Sequence, residues 1–170
     1  TFKWSVADYD ACAAGIAKVE ADLGPVAVLV NNAGITRDAM FHKMTPQAWK
    51  EVIDTNLNGV FLCARGAFGL MRRQQPQGGR IINNGSISAH TPRPFSSAYT
   101  ASKHAVLGLT KSLALDGREF NIACSQIDIG NALTEMSVRM TKGVRQANGS
   151  IAVEPMVEVK HVADAVRYIA

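Results

Sequence analysis

The length, composition and charge of the chain exclude several classes of protein. Its 170 residues suffice for one domain of ordinary size, and 47% of them are hydrophobic while 19% are charged. This balance rules out a disordered tail, a collagen-like fibre and a disulfide scaffold. The net charge of +4 is scattered, with no basic run longer than Arg72-Arg73, whereas nucleic-acid binders concentrate positive charge on a patch. We therefore expect no nucleic-acid partner.

The cysteines and the hydropathy pattern bear on the compartment. Cys12, Cys63 and Cys124 are odd in number and belong to no CxxC pair, which is typical of a reduced cytosolic protein with small buried thiols. No uninterrupted apolar run approaches the ~18–20 residues that a membrane helix needs. We therefore expect a cytoplasmic protein without a membrane partner.

Helical and strand-like patterns alternate along the first half of the chain. Residues 8–23 carry Ala, Ile and Val at helical spacing and end at a Gly-Pro pair. VAVLVNNAG (26–34) then predicts a parallel strand buried on both faces. A Thr-Pro pair begins the next predicted helix, over 45–73, and RIINNGS (80–86) repeats the pattern of a strand followed by a turn.

The same alternation continues in the second half. A helix is predicted over 98–116, FNIACSQIDIG (120–130) predicts a third strand, and a last helix is predicted over 158–170. Residues 131–157 have weaker periodicity and no predicted element. The alternation as a whole predicts an α/β fold with a doubly wound parallel sheet.

The predicted topology also locates a binding site. In doubly wound sheets, ligands bind outside the carboxyl ends of the strands. Residues 31–34, 86–89 and 129–131 directly follow the three predicted strands. We therefore expect them to line one crevice.

A tyrosine and a lysine stand at the start of the helix predicted over 98–116. Tyr99 and Lys103 are four residues apart, so they share one helix face. A neighbouring ammonium favours the phenolate and lowers the pKa of a phenol, which chemistry at a hydroxyl or carbonyl oxygen needs. Such a pair alone is most often a solvated helix face. Ser86, thirteen residues before Tyr99 at the end of a buried strand, favours the functional interpretation because its hydroxyl can donate to a substrate oxygen.

Asn56 is a polar residue inside the helix predicted over 45–73. Asn is a mediocre helix former, so its presence there invites an explanation. An inward amide could hold a water molecule or bond the backbone. The alternative is an ordinary polar position on the helix surface.

Four short motifs together resemble a known family. NNAG after a buried strand, TNLNG in the next helix, NNGSIS and then YTASK follow in an order and spacing similar to the compact short-chain dehydrogenase/reductase family. The resemblance spans nearly the whole chain. It implies a Rossmann fold, here a single partial domain over 1–170 that is incomplete at both ends. It also implies an NAD(P)-dependent oxidoreductase with an Asn-Ser-Tyr-Lys tetrad.

The resemblance assigns the tetrad to four residues of this chain. Tyr99 would be the acid-base group and Ser86 the residue that orients the carbonyl. Lys103 would lower the pKa of Tyr99 and hold the nicotinamide ribose. Asn56 would anchor a water-linked proton relay.

The resemblance also implies a set of residues that bind the cofactor, NADP or NAD. Asn31, Ala33 and Gly34 would pack along it, together with Tyr99 and Lys103. Gly130 follows an isoleucine where the family usually has Pro-Gly, and Thr134 matches a threonine that touches the nicotinamide carboxamide or the phosphates.

The expected partners follow from the same resemblance. ADLGPVAVLVNNAGITRDAMFHKMT looks like the acetoacetyl-CoA and 3-oxoacyl-carrier-protein reductase branch, whereas GRIINNGSISAHTPRP looks like a less defined branch of general oxidoreductases. The substrate is therefore expected to be a small carbonyl compound or alcohol of unassigned identity. A homodimer or homotetramer is expected on the helices predicted over 45–73 and 98–116. The four histidines are too dispersed for a metal site.

Two departures from the family pattern leave an alternative open. Ser5 stands where the family usually has an Asp that bonds adenine. The sequence also lacks the Gly-rich turn that receives the pyrophosphate, and Gly59, Gly66 and Gly69 lie inside a predicted helix and cannot replace it. The alternative is a truncated Rossmann-like fragment without activity that serves as a binding or association module. The longer epimerase branch shares Tyr-x-x-x-Lys but is disfavoured by NNAG and the short spacing.

Overall fold

A computed structural model describes the backbone of residues 1–170 and every side chain except that of Arg139. Its helices and strands alternate along the chain as predicted. The helices are α1 (Tyr9–Leu23), α2 (Pro46–Ile53), α3 (Gly59–Arg73), α4 (Ser97–Asp116) and α5 (Val159–Ile169). The strands are β1 (Val28–Asn31), β2 (Gly79–Asn84), β3 (Ile122–Ile127) and the short pair β4 (Val144–Arg145) and β5 (Ile151–Ala152).

The three longer strands form one parallel sheet in the order β1-β2-β3. Leu29 of β1 lies opposite Ile81 of β2, which lies opposite Cys124 of β3. Helices connect the successive parallel strands, as such crossovers require. This confirms the predicted α/β fold with a Rossmann-like parallel sheet.

Helices α1 and α2 begin after residues that the sequence favours for caps. The Asp8 carboxylate accepts a hydrogen bond from the Ala11 N–H at 2.9 Å at the start of α1, and the Thr45 hydroxyl accepts one from the Ala48 N–H at 3.1 Å before α2. Each cap satisfies a backbone donor that has no partner within its helix.

The single helix predicted over 45–73 is interrupted by a wider turn. Residues Asp54–Asn58 form a π-helical turn between α2 and α3. Such a turn accommodates one extra residue and is frequent at functional sites. Here it coincides with Asn56, which is buried rather than on the helix surface.

The main core lies between α3 and the sheet. Ala64, Ala67 and Met71 of α3 pack with Ile81 of β2 and Ile122 of β3. The small residues on α3 let this helix lie close to the strands. The core therefore fixes β2, whose carboxyl end leads into the site.

Two parts of the structure differ from the sequence-based expectations. Val28 and Val30 of β1 are 37% and 41% exposed, so this strand is not buried on both faces as predicted. Residues 131–157, called the wall segment below, contain a helical turn over Val138–Lys142 and the antiparallel pair β4–β5. No helix among the described residues is both long and apolar enough to cross a lipid bilayer.

Candidate active site

A cavity of about 700 Å³ opens where the three parallel strands end. Its lining includes residues that follow each strand: Asn32 and Gly34 after β1, Ser86, Ile87 and Ser88 after β2, and Ile129, Gly130 and Asn131 after β3. Tyr99 and Lys103 of α4 and much of the wall segment complete the lining. The crevice expected from strand topology is therefore present.

Tyr99 and Ser86 meet inside this cavity. Tyr99 lies in the first turn of α4, and Ser86 follows β2 and is buried. The Ser86 hydroxyl accepts a hydrogen bond from the Ser88 N–H at 3.1 Å, which holds the serine side chain within the turn. The Ser86 side chain also lowers the pKa of Tyr99, because its hydroxyl group favours the phenolate. The two hydroxyl groups can thus act on the same bound oxygen atom.

Lys103 lies one helical turn after Tyr99 and is buried. Its ammonium is 5.5 Å from the centroid of the Tyr99 ring and donates a hydrogen bond to the Asn84 carbonyl oxygen at 2.6 Å. Burial lowers the pKa of Lys103 to about 8, although the negative charge of Asp128 opposes this change. Asn84 thereby fixes the direction of the lysine side chain.

The pKa of Tyr99 departs from its usual value in the direction opposite to the expectation. Burial raises it because the phenolate loses hydration, the hydrogen bond with Ser86 lowers it, Asp38 raises it and Arg93 lowers it. The net pKa of Tyr99 is raised, not lowered as expected for a neighbour of Lys103. The effects of burial and Asp38 on the pKa of Tyr99 therefore exceed the stabilisation of the phenolate that Ser86 and Arg93 provide.

Asn56 contacts the site only indirectly, by hydrogen bonds to the backbone of the loop that follows β1. Its side-chain amide bonds the N–H and the carbonyl of Ile35, and its Nδ2 also donates to the Ser102 hydroxyl at 3.3 Å. The Asn56 side chain is not part of the cavity lining. Of the four tetrad residues, the structure brings Ser86, Tyr99 and Lys103 into the cavity and places Asn56 behind its wall.

The residues expected to bind a cofactor divide into two groups. Gly34, Gly130 and Thr134 line the cavity. Asn31 and Ala33 do not belong to the lining, and a role of these two residues in cofactor binding stays a prediction. The buried Asn31 amide instead donates to Asn83 Oδ1 at 2.9 Å, because alternate side chains of a strand point to opposite faces.

Several lining residues escaped the sequence analysis. Asn84 donates to Asn32 Oδ1 at 2.6 Å and so links the ends of β2 and β1, and the repeated Asn-Asn pairs after both strands could have suggested this. Arg93 enters the cavity from the loop before α4, and Arg145 from the wall segment. Apart from Asn131 and Thr134, which the strand topology and the family resemblance indicated, the weak periodicity of the wall segment gave no signal for its lining residues.

Asp128 is an organising group at the edge of the site. Its carboxylate accepts hydrogen bonds from the Ser86 N–H at 3.0 Å, from Gln126 Nε2 at 2.7 Å and from His90 Nε2 at 2.8 Å. Burial raises the pKa of Asp128, but these hydrogen bonds outweigh burial and hold it below its usual value. No group of three or more His, Cys, Asp or Glu side chains within the described part of the chain could hold a metal ion.

Comparison with known proteins identifies the family. A sequence model described as short chain dehydrogenase matches residues 1–145. The chain is 56% identical over 136 residues to an acetoacetyl-CoA reductase of Paracoccus denitrificans, covering 80% of this chain and 55% of that protein. It is 39% identical over 142 residues to a 3-oxoacyl-[acyl-carrier-protein] reductase of Staphylococcus aureus strain Mu50, covering 84% of this chain and 57% of that protein.

A solved structure agrees with the sequence matches. A gluconate 5-dehydrogenase from Burkholderia cenocepacia J2315, determined in complex with NADP and tartrate, superposes with a TM-score of 0.86 at 28% identity. The match covers 98% of this chain and 66% of that one. The chain spans little more than half the length of the two curated relatives above, 55% and 57%. The resemblance seen in the four motifs is confirmed, and the chain belongs to the short-chain dehydrogenase family.

Proposed function

We propose that the protein carrying this chain is an NAD(P)-dependent oxidoreductase that reduces a carbonyl compound, or oxidises a secondary alcohol, with Tyr99 as the acid-base group. The observation that carries this proposal is the meeting of Ser86, Tyr99 and Lys103 in one cavity at the carboxyl ends of parallel strands. The names of the relatives support a 3-oxoacyl thioester as the first substrate to test.

The residues around the cavity fit a nicotinamide cofactor, NADP or NAD. Added Cβ atoms at Gly34 and Gly130 would meet no protein atom closer than 3.6 Å, so these glycines leave room in the cavity rather than serving the protein's own packing. The Lys103 ammonium has three donors, and Asn84 accepts a hydrogen bond from it. Its remaining donors suit ribose hydroxyls. Thr134, which also lines the cavity, suits the nicotinamide carboxamide or the phosphates.

Each residue has a separate task in this mechanism. The cofactor, when bound, supplies or accepts the hydride. Ser86 donates a hydrogen bond to the substrate oxygen, and Tyr99 gives its phenolic proton to that oxygen during reduction or takes it back during oxidation. The positive charge of Lys103 stabilises the phenolate that reduction leaves behind. Asn56 holds the loop after β1 in place and is the proposed anchor of a water-linked proton relay.

Localisation and assembly belong to the same proposal. The unpaired thiols of Cys12, Cys63 and Cys124 support the cytoplasm as the compartment. The side chains of Phe61 on α3 and Leu115 on α4 are 47% and 59% exposed, which supports pairing of these helices in a homodimer or homotetramer. Sedimentation at micromolar concentration tests the assembly, and a monomer would overturn it.

A substitution at Tyr99 tests the mechanism. Carbonyl reduction is followed by loss of reduced cofactor with acetoacetyl-CoA and with a simple ketone, for the wild type, Tyr99→Phe and the control Tyr168→Phe, whose ring is 93% exposed. Loss of general acid catalysis predicts a decrease in turnover of about 10²–10⁴-fold for Tyr99→Phe alone. Calorimetric affinity for NADPH or NADH should survive in both variants. Turnover within tenfold of wild type would contradict the role of Tyr99, and absence of both cofactor binding and turnover would favour an association module.

A further inference from the structure

A shielded ion-pair network joins the loop before α4 to the wall segment. The Arg93 guanidinium donates to Glu154 Oε2 at 2.5 Å and to Asn131 Oδ1 at 2.9 Å. The side chains of Arg93 and Glu154 are only 24% and 19% exposed. Asn131 Nδ2 donates to the same Glu154 oxygen at 2.6 Å, and Gln146 Nε2 donates to the other oxygen at 3.0 Å. Glu154 is therefore the common acceptor of the network.

The network acts on a segment that is already closed on itself. The Val157 N–H donates to the Asn131 carbonyl at 2.8 Å, and the Leu133 N–H donates to the Val157 carbonyl at 2.9 Å. These bonds join the two ends of the wall segment. Arg93, outside the segment, connects this closed loop to the chain six residues before Tyr99. The position of the wall relative to α4 thus depends on this charged pair.

Arg93 is also a charge that Tyr99 senses. Both side chains line the same cavity, and the positive charge of Arg93 lowers the pKa of Tyr99 whereas the negative charge of Asp38 raises it. Glu154 partly neutralises Arg93 because the two charges are in direct contact. Among the side chains that the structure describes, the other titratable or charged groups that line the cavity or its edge are Lys103, Asp128 with its partner His90, Glu135 and Arg145.

We propose that Arg93 is a positioning residue for Tyr99: paired with Glu154, it fixes the wall segment over the cavity and sets the charge that the phenol oxygen meets. The pair has two opposite electrostatic effects. Arg93 favours the phenolate, and Glu154 limits this effect. The catalytic importance of the pair rests on the proposed function, since it acts through Tyr99, whereas its effect on the phenol does not depend on any reaction.

The ionisation of Tyr99 can be followed without cofactor or substrate. Tyrosinate absorbance is titrated in the full chain, and the curve of a Tyr99→Phe variant is subtracted to remove the contributions of Tyr9 and Tyr168, which are 54% and 93% exposed. The variants are Arg93→Gln, Glu154→Gln, the double variant and the charge-conserving Arg93→Lys. A matched control is the Arg73–Glu20 pair between α3 and α1, 3.3 Å apart, changed to Arg73→Gln and Glu20→Gln.

The proposal predicts shifts of opposite sign. Arg93→Gln should raise the pKa of Tyr99 and Glu154→Gln should lower it, each by at least about half a pH unit, because a unit charge about 10 Å away shifts a pKa by about one unit at an effective dielectric constant near 20. The double variant and Arg93→Lys should stay close to the wild type, and the control pair should cause no shift. Both single variants should also increase proteolytic cleavage within residues 131–157.

A purely structural pair would behave differently. It would loosen the wall segment in both variants while leaving the pKa of Tyr99 unchanged or moving it in the same direction, and either result overturns the proposal. If Arg93→Gln does not fold, Glu154→Gln decides alone: a lowered pKa supports the proposal and an unchanged or raised one overturns it. Because the titration involves no turnover, these outcomes are independent of whether the protein proves to be a reductase.

Discussion

Asn56 bonds both backbone groups of Ile35, accepting from its N–H at 2.8 Å and donating to its carbonyl at 2.9 Å. The side-chain amide thus pairs with the loop after β1 as a neighbouring strand would. The π-helical turn over Asp54–Asn58 directs the amide inward, where it is 1% exposed. This contact holds Gly34, the residue before Ile35, at the cavity wall.

The first prediction concerns this contact. Asn56→Ala should lower the free energy of unfolding by about 2–3 kcal/mol, because it leaves the polar backbone groups of Ile35 without their partner in a poorly hydrated site. Asn58→Ala is the matched control: it lies two residues away, is exposed, and bonds only the neighbouring Asp54 among the described residues. Denaturant unfolding measures both. A loss for Asn56→Ala no larger than that for Asn58→Ala would show that the contact contributes little.

A second prediction uses two glycines with opposite surroundings. A Cβ at Gly85 would overlap Asp128 Oδ1 and lie 2.6 Å from Gln126 Nε2, so Asp128, which accepts from the Ser86 N–H, would have to move. Gly85→Ala should therefore destabilise the protein by about 1–3 kcal/mol and displace Ser86. Gly108→Ala, within α4 and with no atom inside 4 Å of its Cβ, should stabilise it by about 0.5–1 kcal/mol.

Thermal unfolding of the two variants distinguishes these effects. Tolerance of Ala at position 85 would mean that the turn after β2 can relax without involving Asp128. A destabilised Gly108→Ala would mean that this face of α4 packs against something in solution, such as a second copy of the chain.

The sequence predicted those parts of the site that depend on local spacing and strand topology. Tyr99 and Lys103 share a helix face because they are four residues apart, and Ser86 joins them because parallel strands end at the same edge of the sheet. Asn31 lies outside the cavity lining for a reason also present in the sequence. It is two residues from Leu29 and therefore faces the same side of β1, away from the cavity.

Contacts between distant segments could not be predicted in the same way. Arg93 and Glu154 are 61 residues apart, and Glu154 lies in the wall segment, whose sequence has neither helical nor strand periodicity. Burial and Asp38 likewise raise the pKa of Tyr99 and Arg93 lowers it, and none of these effects follows from the spacing of Tyr99 and Lys103. Such features follow from tertiary packing, which cannot be read directly from a single sequence.

A third prediction concerns the thiols. Burial, together with the neighbouring Cys12, raises the pKa of Cys63 to about 12, and burial raises that of Cys124 to about 11. Since the thiolate is the reactive form, the cysteines should react with an aromatic disulfide reagent at pH 8 only as fast as the chain unfolds. Denatured protein should show all three thiols at once. A fast phase in the native protein, removed by Cys124→Ala, would show that the half-buried Cys124 is accessible.

The last prediction follows from the buried ammonium of Lys103. Its pKa is about 8 in the folded protein and 10.5 ordinarily, so between these pH values the unfolded chain binds more protons than the folded one. The contribution of Lys103 to the free energy of unfolding therefore rises with pH. Below pH 8 the folded protein bears the full cost of burying the ammonium charge, and this cost disappears toward pH 10.5. The pKa values of Tyr99, Cys63 and Cys124 are also raised in the folded protein, so a comparison with Lys103→Met is necessary to isolate the contribution of Lys103. The stability of the wild type relative to Lys103→Met should increase by about 2–3 kcal/mol from pH 8 to pH 10.5.

Lys111→Met, on an exposed face of the same helix, should show no such change. Urea unfolding of the three proteins across this range measures the effect, and a difference between wild type and Lys103→Met that stays constant with pH would mean that the ammonium remains hydrated in the folded protein.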